Sequence, residues 1–368
     1  MVRAFFLKSF LLAGCLIVLI LVSGCVQAHT QLPPSITATL PPVIDGLSED
    51  ELATLSSLEQ LDDYPLYSMH YVGDYPSSVH AASPVRLPEI ANQLTPNACP
   101  GDWGCALFTA LGDPEDRLYG RNFDWRYSPA LLLFTDPPDG YASVAMVDIE
   151  YLGFGGDQAK NILDLPLNER RALLETPALP FDGMNEQGLA VGMAAVPPGE
   201  MQPDPSKETI DELMVIREIL DHASTVDEAV GILGSYNIDM GSVPLHYLVA
   251  SSSGDSALVE FYQGEMVVFR NEDPWQLATN FLVASTGGRT QGQCPRYDRI
   301  SLKLQVTGGK LTSQAALSLL ADVSQNPPQA QSPTQWSIVY DMTSREIHVV
   351  MGRDYEAGAH TLRLAGRK

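Results

Sequence analysis

Residues 104–125, from Gly104 to Trp125, limit the fold more than any other stretch, because they read as two apolar arms around a tight turn. Gly112-Asp113-Pro114-Glu115-Asp116 holds the turn formers: Pro fixes one φ, and Gly admits angles closed to other residues. Cys105–Gly112 and Leu118–Trp125 are the arms. A symmetric hairpin sets Cys105 opposite Asp124, with Cβ atoms about 5 Å apart. A thiol facing a carboxylate is an uncommon way to build a core. Arg121 adds a cation three residues before Asp124. Period-two alternation sends it to the other face unless a bulge or its long stem brings it round.

The chain ahead of the hairpin reads as export and linker. Arg3 and Lys8 precede an apolar run, Phe10–Val22, too short for a comfortable membrane span, so residues 1–24 read as a signal peptide. Val22-Ser23-Gly24-Cys25 resembles a bacterial lipobox, which implies a lipid on Cys25 and a chain held at the outer face of the cell membrane. Cleavage after Ala28 by an ordinary signal peptidase is the alternative. The formal charge is −23, and loss of residues 1–24, which hold two basic residues and no acid, makes it more negative still. That balance argues against nucleic acid and against a polybasic membrane contact. His29–Pro42, with two Pro-Pro pairs, reads as a linker. Leu47–Leu61 reads as a short helix, Pro65–Gly73 as a strand packed on the main domain, and Val79–Pro100 as irregular. Three segments follow: 1–24 signal, 25–104 linker and pro-segment, 105–368 one large domain.

Past the hairpin, strands and helices come in blocks. Tyr141–Phe154 and Leu189–Val196 read as strands. Two helices are announced by capping boxes, Thr209 with Glu212 and Thr225 with Glu228. Their apolar stripes are Ile216, Ile219, Leu220, Ala223 and Val226, Ala229, Val230, Leu233. Leu245–Ala250 is apolar apart from His246, hence read as buried on both faces. Ala257–Arg270 reads as a hairpin around Gln263-Gly264, and Gln276–Ala284 as a strand. Helices are expected from about Arg296 and over Thr312–Val323, then a hairpin over Trp336–Met351 and a strand over Thr361–Leu364. Strands paired with strands and helices with helices predict an α+β fold, two sheets between helical layers.

Cys105 followed by Gly120-Arg121-Asn122-Phe123-Asp124-Trp125 resembles the N-terminal-nucleophile hydrolases of the choloylglycine hydrolase and penicillin V acylase group. It is also similar to the acyl-coenzyme A:6-aminopenicillanate acyltransferases. The resemblance runs from Cys105 to about Leu364 and implies a four-layer αββα sandwich. It implies a Cys nucleophile freed by cleavage of Gly104–Cys105. The new α-amine, of pKa about 7.7–8.0, then serves as the base for its own thiol. No His is needed, and none of the seven sits in a recognisable motif. Asp124 would hold the α-amine and Arg121 would orient the thiolate. Thr279-Asn280 matches a family Thr-Asn whose amide helps form an oxyanion hole. Pro295-Arg-Tyr-Asp-Arg299 matches a family segment that maps a site arginine onto Arg296. Phe181–Leu189 matches a signature to which turn geometry gives a structural role. Ala195 departs from the family, where many bile salt hydrolases carry Asn and penicillin V acylases often Tyr, and this puts bile salts and penicillin V in doubt as substrates.

Five cysteines sharpen the picture. Cys15 leaves with the signal and Cys25 takes the lipid. Cys105 reads as the reactive odd thiol, with Cys99 and Cys294 available to form a disulfide; three buried free thiols are the alternative. No His or Cys pair has metal-ligand spacing, and Gly153-Phe-Gly-Gly156 lacks the helix of a dinucleotide site, so neither metal nor cofactor is expected. The expected partner is a small N-acyl amide; a homo-oligomer stays open. Three alternatives stand beside the amidase: an acyltransferase, a papain-like protease using Cys105, His246 and Asn280, and a non-catalytic solute-binding lipoprotein.

Overall fold

The computed structural model describes residues 46–75, 104–199, 201–241, 243–326 and 332–366, all within one compact unit, 44–368. Strands and helices are numbered along the chain. A nine-stranded sheet runs β1 (Glu59–Asp62), β2 (Leu66–His70), β5 (Ala130–Thr135), β6 (Ser143–Asp148), β7 (Asp182–Asn185), β8 (Leu189–Ala195), β11 (Leu245–Ser251), β12 (Ser256–Tyr262) and β13 (Glu265–Arg270). A six-stranded sheet runs β14 (Trp275–Ala278), β3 (Ala106–Ala110), β4 (Leu118–Asp124), β15 (Thr334–Asp341), β16 (Glu346–Met351) and β17 (His360–Arg363). The sheets face each other where β3 meets β8 and β11. Helices α2 (Met214–His222) and α3 (Val226–Ser235) cover the outer face of the first sheet, and α4 (Pro295–Thr307) and α5 (Ser313–Asp322) that of the second. This is the expected α+β, four-layer αββα sandwich.

Burial on both faces explains the continuous apolar runs. In β3, Leu107 joins the core between the sheets, while Ala106, Phe108 and Ala110 join the core under α4 and α5. Strands so placed lose the polar alternation of a half-exposed sheet. β5, with its run Leu131-Leu132-Leu133, is fully buried yet absent from the sequence reading, because a short apolar run has no periodicity to mark it.

Three expectations need correction. Thr209 and Glu212 do not cap a helix: Thr209–Asp211 forms β9, parallel to β10 (Asn237–Asp239), and α2 starts at Met214 without a side-chain cap. Pairing with β10 takes the backbone that the box needs. The stripe Ile216, Ile219, Leu220, Ala223 is buried as expected, and the Thr225–Glu228 box forms. The strand over Gln276–Ala284 stops at Ala278 and gives way to a 3-10 turn, Val283–Thr286. The helix over Leu47–Leu61 is shorter, α1 (Glu49–Ser56), and the chain then turns into β1. The Pro65–Gly73 strand is β2, hydrogen-bonded between β1 and β5 and buried except at His70. The readings of 1–42 and Val79–Pro100 lie outside the described residues.

Candidate active site

The site begins with the register of the β3–β4 hairpin. Ala106 pairs with Asn122, Leu107 with Arg121 and Ala110 with Leu118. Continued by one residue, this register sets Cys105 against Phe123, not against Asp124 as expected. The turn centres on Pro114 rather than between Pro114 and Glu115. A one-residue shift moves every side chain to the other face. Cys105, Leu107, Arg121 and Phe123 therefore share the face toward the nine-stranded sheet. Asn122 and Asp124 face α4 and α5. Arg121 thus reaches Cys105 without a bulge, its Nη2 lying 3.8 Å from Sγ.

Arg121 and Asp124 do not pair; each has another partner. Fully buried Arg121 donates from Nη1 to Asp182 Oδ2 at 2.6 Å and to the carbonyl of Phe181. Its guanidinium lies 5.1 Å from the Phe123 ring centroid. Asp182 also accepts from the Tyr340 hydroxyl at 2.5 Å. The sequence reading gives Phe181–Leu189 a structural role, which holds for Asn185: its amide donates to the carbonyls of Leu220 and Ala223. It misses Asp182, the counter-ion of Arg121. The signal for it was an acid within that family signature.

On the other face, Asp124 accepts from Arg296 Nη1 at 3.0 Å, Thr334 Oγ1 at 2.5 Å and Gln325 Nε2 at 3.1 Å. Thr334 and Gln325 carry no sequence signal for this role. Arg296 also donates from Nη1 to the Cys105 carbonyl at 3.1 Å and from Nη2 to Asn280 Oδ1 at 2.8 Å. With Oδ1 so engaged, Asn280 must turn Nδ2 the other way, where it donates to the Ala195 carbonyl at 2.8 Å. An amide NH₂ has two protons, so this bond uses one of them. All five expected residues, Cys105, Arg121, Asp124, Asn280 and Arg296, thus lie in one neighbourhood. Gly104 is packed into it: a Cβ there would lie 2.4 Å from both Arg296 Nη2 and Asn280 Oδ1.

Burial governs the ionisation of both acids. It pushes the Cys105 thiol up, against the pull of Arg121 and of the Asp124 N–H. It pushes the Asp124 carboxyl up to about 6, against the pull of Arg296, Thr334 and Gln325. A buried thiol held protonated needs a base to become a nucleophile.

A small cavity of about 30 Å³ lies beside Cys105, walled by Phe123, Trp125, Phe181, Met193, Val243 and Leu245. Its walls are mostly apolar, which favours an apolar group beside the thiol. Tyr151 does not line it; its ring packs against Phe181, with centroids 5.6 Å apart.

The papain-like arrangement does not form. His246 is fully buried, its Nδ1 lies 3.1 Å from Glu260 Oε1, and its Nε2 has no hydrogen-bond partner. Cys105 leads into a strand, whereas a papain-like cysteine starts a helix. Cys105 is a free thiol and Cys294 is disulfide-bonded. The expected partner Cys99 and the lipid-bearing Cys25 lie outside the described residues. No group of three or more His, Cys, Asp or Glu among the described residues is placed to hold a metal ion.

The family model for acyl-coenzyme A:6-aminopenicillanic acid acyl-transferase matches residues 180–356, a span that includes Asp182, Asn280 and Arg296 but not Cys105. A penicillin V acylase from Pectobacterium atrosepticum is 25% identical over 192 residues, covering 48% of this chain and 49% of that protein. The chain thus matches about half the length of that curated relative. A mutant of the conjugated bile acid hydrolase from Clostridium perfringens superposes with a TM-score of 0.50 at 16% identity, covering 71% of this chain and 92% of that one. A second variant of that hydrolase superposes with a TM-score of 0.50 at 15% identity, covering 70% and 92%. At such identities the superpositions speak for the fold alone.

Proposed function

From an N-terminal-nucleophile hydrolase fold, in a chain similar to the choloylglycine hydrolase and penicillin V acylase group, we propose an amidase that hydrolyses linear carbon–nitrogen bonds of N-acyl compounds. Its nucleophile is Cys105, exposed by cleavage at Gly104. One observation carries the reading: a free, buried thiol directly after a closely packed glycine, with Arg121 Nη2 at 3.8 Å and a small apolar cavity beside it.

Processing starts with attack of Cys105 Sγ on the Gly104 carbonyl carbon. The Gly104–Cys105 C–N bond breaks as its nitrogen takes a proton, leaving a thioester. Water hydrolyses the thioester, giving a carboxylate at Gly104, the free thiol, and an α-amine at Cys105. In turnover the α-amine removes the thiol proton, the thiolate attacks the substrate carbonyl, and the developing oxyanion receives the second N–H of Asn280. The proton passes to the leaving amine, and water activated by the α-amine hydrolyses the acyl-enzyme. Asp124 holds the α-ammonium, and Arg296 holds Asp124, Asn280 and the Cys105 carbonyl together. The apolar walls favour an apolar acyl group.

Acyl transfer to an amine in place of water is the second reading, favoured by the acyltransferase family match over residues 180–356. Adding hydroxylamine to a turnover assay separates the two: an acyl hydroxamate formed faster than free acid favours transfer. We also place the protein outside the cell, anchored through Cys25, on the lipobox-like Val22-Ser23-Gly24-Cys25. Palmitate labelling should be lost in Cys25→Ala. The test of the amidase itself is a panel of N-acyl amides given to purified wild type and to Asn280→Ala.

A further inference from the structure

The pair His246–Glu260 is unused by the chemistry above, yet it is fully buried, which is costly for a carboxylate unless its oxygens are satisfied. They are. Glu260 Oε1 accepts the backbone N–H of Val283 at 2.8 Å, and Oε2 that of Ala284 at 2.8 Å. Oε1 also faces His246 Nδ1 at 3.1 Å. With Nδ1 as donor, both Glu260 oxygens act as acceptors only.

The place of these bonds gives them a further consequence. Val283 and Ala284 open the 3-10 turn that follows Asn280 by three residues. On the other side of Asn280, β14 is fixed by its pairing with β3, Ala278 against Leu107. Glu260 and His246 belong to β12 and β11 of the nine-stranded sheet, whereas β14 and Cys105 belong to the six-stranded one. The bonds from Glu260 therefore cross between the sheets. They tie the segment carrying Asn280 to the sheet that also offers it the Ala195 carbonyl.

We propose that Glu260, steadied by His246, is a positioning residue for Asn280: it sets where the amide N–H stands relative to Cys105. This rests on the oxyanion role of Asn280 proposed above. The length of the connection matters, because a displacement of about 1 Å at a reacting centre costs about 10²-fold in rate. Gln at 260 is nearly isosteric but turns one acceptor into a donor, so one of the two backbone N–H groups meets an N–H instead of an oxygen. Asn at 246 places its Nδ2 near the position of His Nδ1 and keeps the donor to Glu260, whereas Leu removes it.

The experiment compares kcat per titrated thiol and KM for wild type, Asn280→Ala, Glu260→Gln, His246→Asn and His246→Leu on one N-acyl amide, with thermal unfolding as a control. Glu260→Gln is expected to lower kcat at least tenfold with KM little changed. His246→Leu should lower it less, and His246→Asn should restore it. A folded Glu260→Gln with wild-type kcat overturns the proposal, as does a change confined to melting temperature. Where Glu260→Gln does not accumulate as folded protein, the His246 pair decides: equal kcat for Asn and Leu overturns the proposal. If wild type turns over and Asn280→Ala is slow, a normal Glu260→Gln refutes the positioning role alone. If Asn280→Ala is also normal, the oxyanion reading itself falls.

Discussion

Two arginines serve the site, and each has its own carboxylate. Arg121 faces Asp182 in full burial, while Arg296 faces Asp124 at its partly exposed edge. Asp182→Asn would leave the Arg121 charge buried without a counter-charge, which costs about 3–5 kcal/mol. Urea unfolding should show that loss, with a slower reaction at Cys105. Removing the Asn280 amide has a different signature: on the proposed oxyanion role, Asn280→Ala should lower kcat by about 10²–10³ with KM little changed. Asp124 adds a pH dependence. Its folded carboxyl holds a proton up to about 6, above the usual carboxylate value of about 4. The linked stability is therefore full below about pH 4 and lost as pH rises through about 6. Unprocessed Cys105→Ala should lose stability over that window relative to Cys105→Ala/Asp124→Asn, as read by melting temperature across pH. A flat difference would refute the raised carboxyl. The five candidate residues came from the family resemblance of the segments that carry them; the partners the structure gives them were not legible. Which carboxylate each arginine meets depends on a hairpin register that a single residue in the turn decides.

At the scale of elements, the hairpin, the β12–β13 turn at Gln263-Gly264 and the stripes of α2 and α3 follow from local pattern. Gln263 and Gly264 both take positive φ, 53° and 86°, as a two-residue hairpin turn requires. Where pattern fails, a tertiary partner has intervened. Thr209 reads as a cap and becomes a strand because Asn237 is there to pair with it. Asp182 is missed because its partner Arg121 lies far from it in sequence, on β4. The entry to β3 carries its own prediction. Since a Cβ on Gly104 would collide with Arg296 and Asn280, Gly104→Ala must displace one of them. Processing of Gly104→Ala should be slowed severely, measured as the fraction of cleaved chain over time. Cleavage at the wild-type rate would show that this packing is not needed.

Across the whole molecule, the described segment 49–70, ahead of Cys105, is built into the main sheet. Residues 49–70 supply α1, β1 and β2, and β2 lies parallel to β5 inside the nine-stranded sheet, Leu66 against Ala130 through His70 against Phe134. Leu55, Leu66, Tyr67 and Met69 are wholly buried in the main core. Cleavage at Gly104 should therefore yield two chains that stay together under native, reducing conditions, and size exclusion checks this. Separation without denaturant would contradict the role given to β2. A Cys99–Cys294 bond would add a covalent link, seen as one band on a non-reducing gel that splits on reduction. The central claim is that Cys105 is a nucleophile exposed by the chain itself, and the most direct measurement is N-terminal sequencing with intact mass of the purified protein. Wild type should show a chain beginning at Cys105, and Cys105→Ala should remain uncut and inactive. A wild-type chain that hydrolyses N-acyl amides while still joined at Gly104–Cys105, or an active Cys105→Ala, would contradict it.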